Sequence, residues 1–248
     1  MTELVHLAVA DQIATITLDS DHNRNALSRQ LVTELAAHLA TAGADGAVKA
    51  VLIRSAGTVF CSGADLSEAA DGGMVEGAEA IVTLQRQIAT LDKPVVVELG
   101  GPVRAGGLGI VGAADIVIAA ESVTFQLTEV RLGLAAAVIS LSLLPRFTDR
   151  AAADLFLTAR NFDAAEAARV GLITRAVPDV ELQGDVAMVL GDLVKGYPQG
   201  LRESKKLLNS DLVARIDALG EQVAAQSAEL FGSDEAREAM TAFLSKKR

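Results

Sequence analysis

The sequence predicts a mixed α/β fold in which strands and helices intermix through about residue 180 and helices alone follow. Two patterns carry that expectation. Short β-branched runs recur in the first part, and Ile16 and Leu18 alternate with Thr15 and Thr17 at the period of a strand. Further on, Leu212, Ile216, Leu219, Val223 and Leu230 mark one face of a long amphipathic helix. Half of the 248 residues are hydrophobic, enough for a sizeable core without disulfides or metal.

Taken in order, residues 4–9 and 13–18 read as two strands with a turn near Asp11. Ser28 is placed to cap a helix over residues 28–41, whose apolar stripe is Leu31, Leu35 and Leu39. Residues 48–54 read as a buried strand, followed by a Gly- and Ser-bearing loop through Asp65. A helix is expected over residues 75–91, then a strand opened by Pro94 in KPVVVEL. Residues 100–112 are glycine-rich, 115–119 (DIVIA) form another buried strand, and 123–127 one more. From Glu129 onward the pattern is mostly helical. Asp163 and Glu166 make a start like a capping box, and Gly171 sits where a helix ends. Helices are expected over residues 180–196, 201–209, 212–230 and 233–246. The chain thus divides into a mixed core, residues 1–180, and a C-terminal helical region, residues 181–248. That region is expected to pack on the core or on a partner subunit.

Composition removes several classes of function. The net charge of −10 argues against nucleic-acid binding, which needs a basic face. No apolar run reaches the roughly 18 residues of a membrane span, and the longest, residues 132–144, contains Ser140 and Ser142. The N-terminus lacks the basic and apolar regions of a secretory signal, and the single cysteine, Cys61, can form no internal disulfide. A cytoplasmic protein is expected. His6, His22 and His38 match no metal-ligand spacing, so no metal is expected. Gly107, Gly109 and Gly112 spell G-x-G-x-x-G, with Glu121 further on, as in a dinucleotide site. The preceding strand is expected to end near Leu99, too early for the tight strand–turn–helix that such a site requires.

Three segments point to chemistry: FCSGADL (60–66), RAGGLGIVGAADI (104–116) and FQLTEVRLGL (125–134). Glycine lets backbone approach a ligand closely, and free N–H groups at a turn or helix start favour a negative charge. A carboxylate ahead of a long apolar stretch, as Glu129 is, should have a raised pKa suited to proton exchange near neutrality. On residues alone, turn glycines, a helix-terminal glutamate partnered by Arg131, and an Asp65 that caps a loop remain open readings. Cys61 reads as a small packed residue.

In this order and at these separations the three segments resemble the enoyl-CoA hydratase/isomerase family, the crotonase superfamily. RNALS (24–28) resembles its adenine-side loop and AFLSKK (242–247) its terminal helix. The resemblance implies a crotonase-like spiral of ββα units with a C-terminal helical oligomerisation region. It implies an acyl-CoA thioester as ligand, no cofactor beyond the CoA of the substrate, and a homotrimer or dimer of trimers. It places two oxyanion donors at the N–H groups of Ala64 and Gly106 and the proton-transfer group at Glu129. It carries substrate contacts to Arg24, Ala26, Leu27, Ser62, Asp65, Leu66 and Gly107. Arg24 and Lys246 become candidates for CoA phosphates, and Phe243 and Lys246 for completing a neighbouring subunit's site.

One position departs from the pattern. The best-known hydratases carry a second glutamate where this chain has Gly109, leaving Glu129 without a partner carboxylate unless Glu68, Glu76 or Glu79 supplies one. Hydration of a 2-enoyl-CoA is the leading expectation. Double-bond isomerisation by one glutamate, and acyl-CoA binding without turnover, are the alternatives. Ala135, Ala136, Ala137 and Val138 are expected to form an apolar wall, with pocket length set by residues 71–91.

Overall fold

In a computed structural model the described residues are 2–68 and 74–245. The chain opens with an antiparallel hairpin of β1 (Val5–Ala10) and β2 (Ile13–Leu18). Its two turn residues, Asp11 and Gln12, both have positive φ (51° and 67°), the backbone that matches a two-residue turn to the strand twist. Helix α1 (Arg29–Ala44) follows, capped by the Ser28 hydroxyl, which accepts from the Leu31 N–H at 3.3 Å. Then come β3 (Ala50–Ser55), α2 (Met74–Thr90), β4 (Val95–Leu99), the two-residue β5 (Val103–Arg104), α3 (Gly107–Ala113), β6 (Ile116–Ala120) and β7 (Thr124–Gln126). A 3-10 turn over Glu129–Leu132 leads into α4 (Ala137–Leu143) and α5 (Asp149–Thr158).

The remaining elements are β8 (Phe162–Asp163), α6 (Ala164–Arg169), β9 (Arg175–Val177), α7 (Leu182–Lys195), α8 (Pro198–Phe231) and α9 (Asp234–Ser245). The main sheet has the order β1-β2-β3-β4-β6-β9, parallel everywhere except at the opening hairpin. Parallel strands covered on both faces read as continuous apolar runs, and Val95, Val96 and Val97 are fully buried. A second small sheet, β5-β7-β8, lies beside the functional loops. This is the crotonase-like α/β fold with a C-terminal helical region that the resemblance implied.

Several details differ from the sequence expectation. Strands β5, β8 and β9 were not anticipated, because two or three residues show no period. The expected helices over 201–209 and 212–230 are one 34-residue helix, α8, with Pro198 in its first turn. A strand does precede the G-x-G-x-x-G glycines closely, since the unexpected β5 ends at Arg104, but Gly107, Gly109 and Gly112 are all buried within α3. A Cβ on Gly112 would lie 2.7 Å from Ser142 Oγ, so that glycine serves helix packing rather than phosphate approach.

Helix α8 packs on the chain's own core along α2 and α4. Gly220 allows close approach, since a Cβ there would lie 2.8 Å from Val82 Cγ1. Lys205 is buried and pairs with Asp115 at 2.7 Å, while its Nζ also donates to the carbonyls of Ile88 and Lys93. Asn209 donates to the other Asp115 oxygen at 2.9 Å and to the Ala89 carbonyl at 3.1 Å. Among the described residues no helix is long and apolar enough to cross a membrane, and no group of three His, Cys, Asp or Glu side chains could hold a metal ion.

Candidate active site

The site is built where the loop after β3 meets the loop before α3. Gly63 has φ of +99°, a backbone that favours glycine, and a Cβ on it would lie 2.9 Å from Ala105 Cβ and 3.7 Å from the Gly106 nitrogen. A Cβ on Gly106 would in turn lie 3.7 Å from the Ala64 nitrogen and 3.1 Å from Leu27 Cδ1. The two segments therefore abut backbone to backbone. Hydrogen bonds hold them: Arg104 N–H donates to the Cys61 carbonyl at 2.9 Å, Ala105 N–H to the Gln126 carbonyl at 3.0 Å, and Leu27 N–H to the Gly63 carbonyl at 2.8 Å. The N–H groups of Ala64 and Gly106 have no acceptor among the described residues, and both residues line the same cleft. Unpaired backbone donors are uncommon in folded proteins, and a pair at one opening can accommodate an anionic oxygen.

Glu129 reaches this cleft, of about 420 Å³, from the 3-10 turn. The residue is half-buried, yet its Oε2 is shut from solvent and has no hydrogen-bond partner among the described residues. Burial pushes the carboxyl up to about 7, against the weaker pull of hydrogen bonds from the Glu129 and Thr128 backbone. Its turn is fixed from both sides. Leu134 N–H donates to the Glu129 carbonyl at 3.0 Å, and Gly133 (φ +68°) packs under α9, where a Cβ would lie 3.2 Å from the Ala236 nitrogen.

The structure also accounts for Gly109. A Cβ there would lie 3.0 Å from Ile139 Cγ2 and 3.3 Å from Gln85 Cδ. Gln85 is buried and braces α2 to α4: its Nε2 donates to the Val138 carbonyl at 3.1 Å and its Oε1 accepts from Ser142 Oγ at 2.6 Å. The space beside position 109 is thus occupied by that brace. None of the three suggested substitutes replaces the missing carboxylate inside the cleft. Glu68 sits at the cleft mouth with both oxygens accepting from Arg29 N–H (3.1 and 3.0 Å), Glu76 pairs with Arg29 at 3.0 Å on the surface, and Glu79 is exposed.

Of the other expected contacts, Arg24, Ala26, Leu27, Ser62, Asp65 and Leu66 all line the cleft. Ser62 N–H donates to the Arg24 carbonyl at 3.1 Å and its Oγ to the Asn23 carbonyl at 3.0 Å, tying the 23–27 loop to the 60–66 loop. Burial alone would raise Asp65, but hydrogen bonds from Ser67 and Asn23 outweigh it and hold the carboxyl below its usual range. Gly107 corrects the expectation. It does not line the cleft but faces Cys61, whose Cβ lies 2.7 Å from where a Gly107 Cβ would be. Cys61 is fully buried, and burial pushes its thiol up to about 12, in keeping with a packed residue. Phe243 lines the cleft of its own chain, where the resemblance implied a neighbour's, and Lys246 lies outside the described residues. The expected wall, Ala135 to Val138, lines the cleft. Ser227 and Phe231 of α8 line it as well and were not anticipated. Their signal was the continuation of the buried α8 stripe, Gly220, Ala224 and Ser227.

The enoyl-CoA hydratase/isomerase family profile matches residues 9–248. The solved structure of an enoyl-CoA hydratase from Mycobacterium avium is 44% identical, covers 99% of this chain and 98% of its own, and superposes with a TM-score of 0.92. Carnitinyl-CoA hydratase from Mycobacterium avium, at 27% identity, covers 99% of this chain and 97% of its own with a TM-score of 0.87. The short-chain-enoyl-CoA hydratase of Clostridium acetobutylicum is 28% identical over 96% of this chain and 93% of that protein. With a profile match over nearly its whole length and the same fold in the two solved structures, the chain belongs to the enoyl-CoA hydratase/isomerase family.

Proposed function

We propose that this protein catalyses the reversible addition of water to a 2-enoyl-CoA, with Glu129 as its single acid/base. The observation that carries the reading is the unpartnered Glu129 Oε2, with a carboxyl pKa near 7, in the cleft that the Ala64 and Gly106 N–H groups also line. In the proposed reaction Glu129 takes a proton from water as the water oxygen bonds to the β-carbon. The π electrons shift toward the α-carbon and the thioester oxygen, where the two N–H groups stabilise the enolate. Glu129 then returns the proton to the α-carbon, so atoms and charge balance without a second acid. Each important donor of this kind is worth roughly 3–4 kcal/mol in the transition state. Arg24, exposed at the cleft mouth, is the proposed partner of a CoA phosphate, and CoA enters only as part of the substrate.

The occupied space beside Gly109 supports a second reading. One carboxylate suffices to remove the α-proton of a 3-enoyl-CoA and return it to the γ-carbon, which is isomerisation. Ultraviolet absorbance of the conjugated enoyl thioester separates the two. Loss of absorbance from a 2-enoyl-CoA, abolished in Glu129→Gln, is the expected result. A gain from a 3-enoyl-CoA instead assigns the isomerase. No change with either, despite acyl-CoA binding, would overturn both in favour of a binding protein.

A further inference from the structure

Ser227 stands apart among the hydroxyls buried within the helices; the other, Ser142, donates to Gln85 Oε1. Serine and threonine within helices commonly return their hydroxyl hydrogen bond to a carbonyl one turn earlier. Thr33, Thr41, Thr90, Thr158 and Thr241 all do so here, at 2.7–2.9 Å. Ser227 does not. It is 7% exposed, and its hydroxyl has no partner among the described residues. Nor is that oxygen shut from solvent, as Glu129 Oε2 is; Ser227 lines the cleft. The surrounding wall is apolar: Ala78 from α2, Val138 from α4 and Ala224 from α8 form one buried cluster, and Phe231 follows one turn on.

A plain hydrocarbon filling this part of the cleft would strip water from the Ser227 hydroxyl without replacing its hydrogen bond, which is unfavourable. A carboxylate would find no countercharge there. Arg24 is the one lysine or arginine among the described cleft residues, and it lies on the 23–27 loop. The chain's net charge of −10 opposes a further anion. Resting on the acyl-CoA reading above, we infer that the preferred acyl group carries a neutral oxygen function, a hydroxyl, ketone or carboxamide, that hydrogen-bonds with Ser227. Ser227 is then a specificity-determining residue that takes no part in the proton transfer itself.

The test is equilibrium binding, which needs no turnover. Saturated acyl-CoAs of equal chain length, plain or carrying a single ketone or hydroxyl at successive positions beyond the β-carbon, are titrated into the full-length protein, into Ser227→Ala and into Ser227→Thr. The expected result is one oxygenated position bound about 3- to 10-fold more tightly than the plain chain, the range of one neutral hydrogen bond. Ser227→Ala should erase that preference while binding the plain chain at least as well, and Ser227→Thr should keep it. Absence of any oxygenated preference in the wild type, or its survival in Ser227→Ala, overturns the inference while leaving the acyl-CoA reading intact. Failure of every acyl-CoA to bind overturns both.

Discussion

Glu129 ties the proposed chemistry to stability through one carboxyl. Its folded pKa, about 7, lies above the ordinary 4.5, so the fold favours the neutral form. The stability this confers is fully present below pH 4.5 and is lost as pH rises to about 7, a change on the order of 3 kcal/mol. Glu129→Gln keeps a neutral side chain at every pH. Denaturant unfolding should therefore find the variant more stable than wild type at pH 8, with the gap closing at pH 5. Equal stabilities at both values would show that the carboxyl is not desolvated. Glu129 itself was legible from TEVRLGL and the apolar stretch that follows. The occupied space beside Gly109 was not, because Gln85 and Ile139 come from helices 24 and 30 positions away and meet it only in the fold.

At the level of elements, α8 matters most, because it supplies Ser227 to the cleft and is clamped to the sheet by Lys205, Asp115 and Asn209. Burial lowers the Lys205 pKa, and Asp115 opposes that shift at 2.7 Å. A buried pair adds little compared with an apolar replacement, but removing one partner strands the other and costs about 3–5 kcal/mol. Lys205→Ala should lose stability of that size in urea unfolding, and a loss under 1 kcal/mol would mean that water or a neighbour rescues Asp115. The clamp was invisible in sequence, since a lysine on a helix ordinarily reads as a surface charge. The short strands β5, β8 and β9 escaped for a different reason: they are defined by their neighbours in the sheet rather than by any pattern of their own. Helix α1, by contrast, was readable from Ser28 and its leucine stripe, and α6 from Asp163, whose carboxylate accepts from the Glu166 N–H at 2.7 Å.

Across the whole molecule, the parallel sheet and its covering helices bring three segments, separated by tens of residues, to one cleft. The proposed donor loops come from the ends of β3 and β5, and the proposed acid/base from the turn after β7. Their order along the chain was enough to indicate the family, and the three residues it singled out, Ala64, Gly106 and Glu129, line one cleft. Their convergence depends on close backbone approach at Gly63 and Gly106, which sequence only suggests. In the proposed chemistry this cleft stabilises an enolate and Glu129 moves its proton, whichever enoyl-CoA reaction follows. The most direct measurement is exchange of the α-protons of a saturated acyl-CoA with deuterated water, followed by proton NMR. Exchange should be accelerated by the wild-type protein and abolished in Glu129→Gln with acyl-CoA binding retained. Bound acyl-CoA whose α-protons do not exchange, or exchange equally fast with Glu129→Gln, would contradict it.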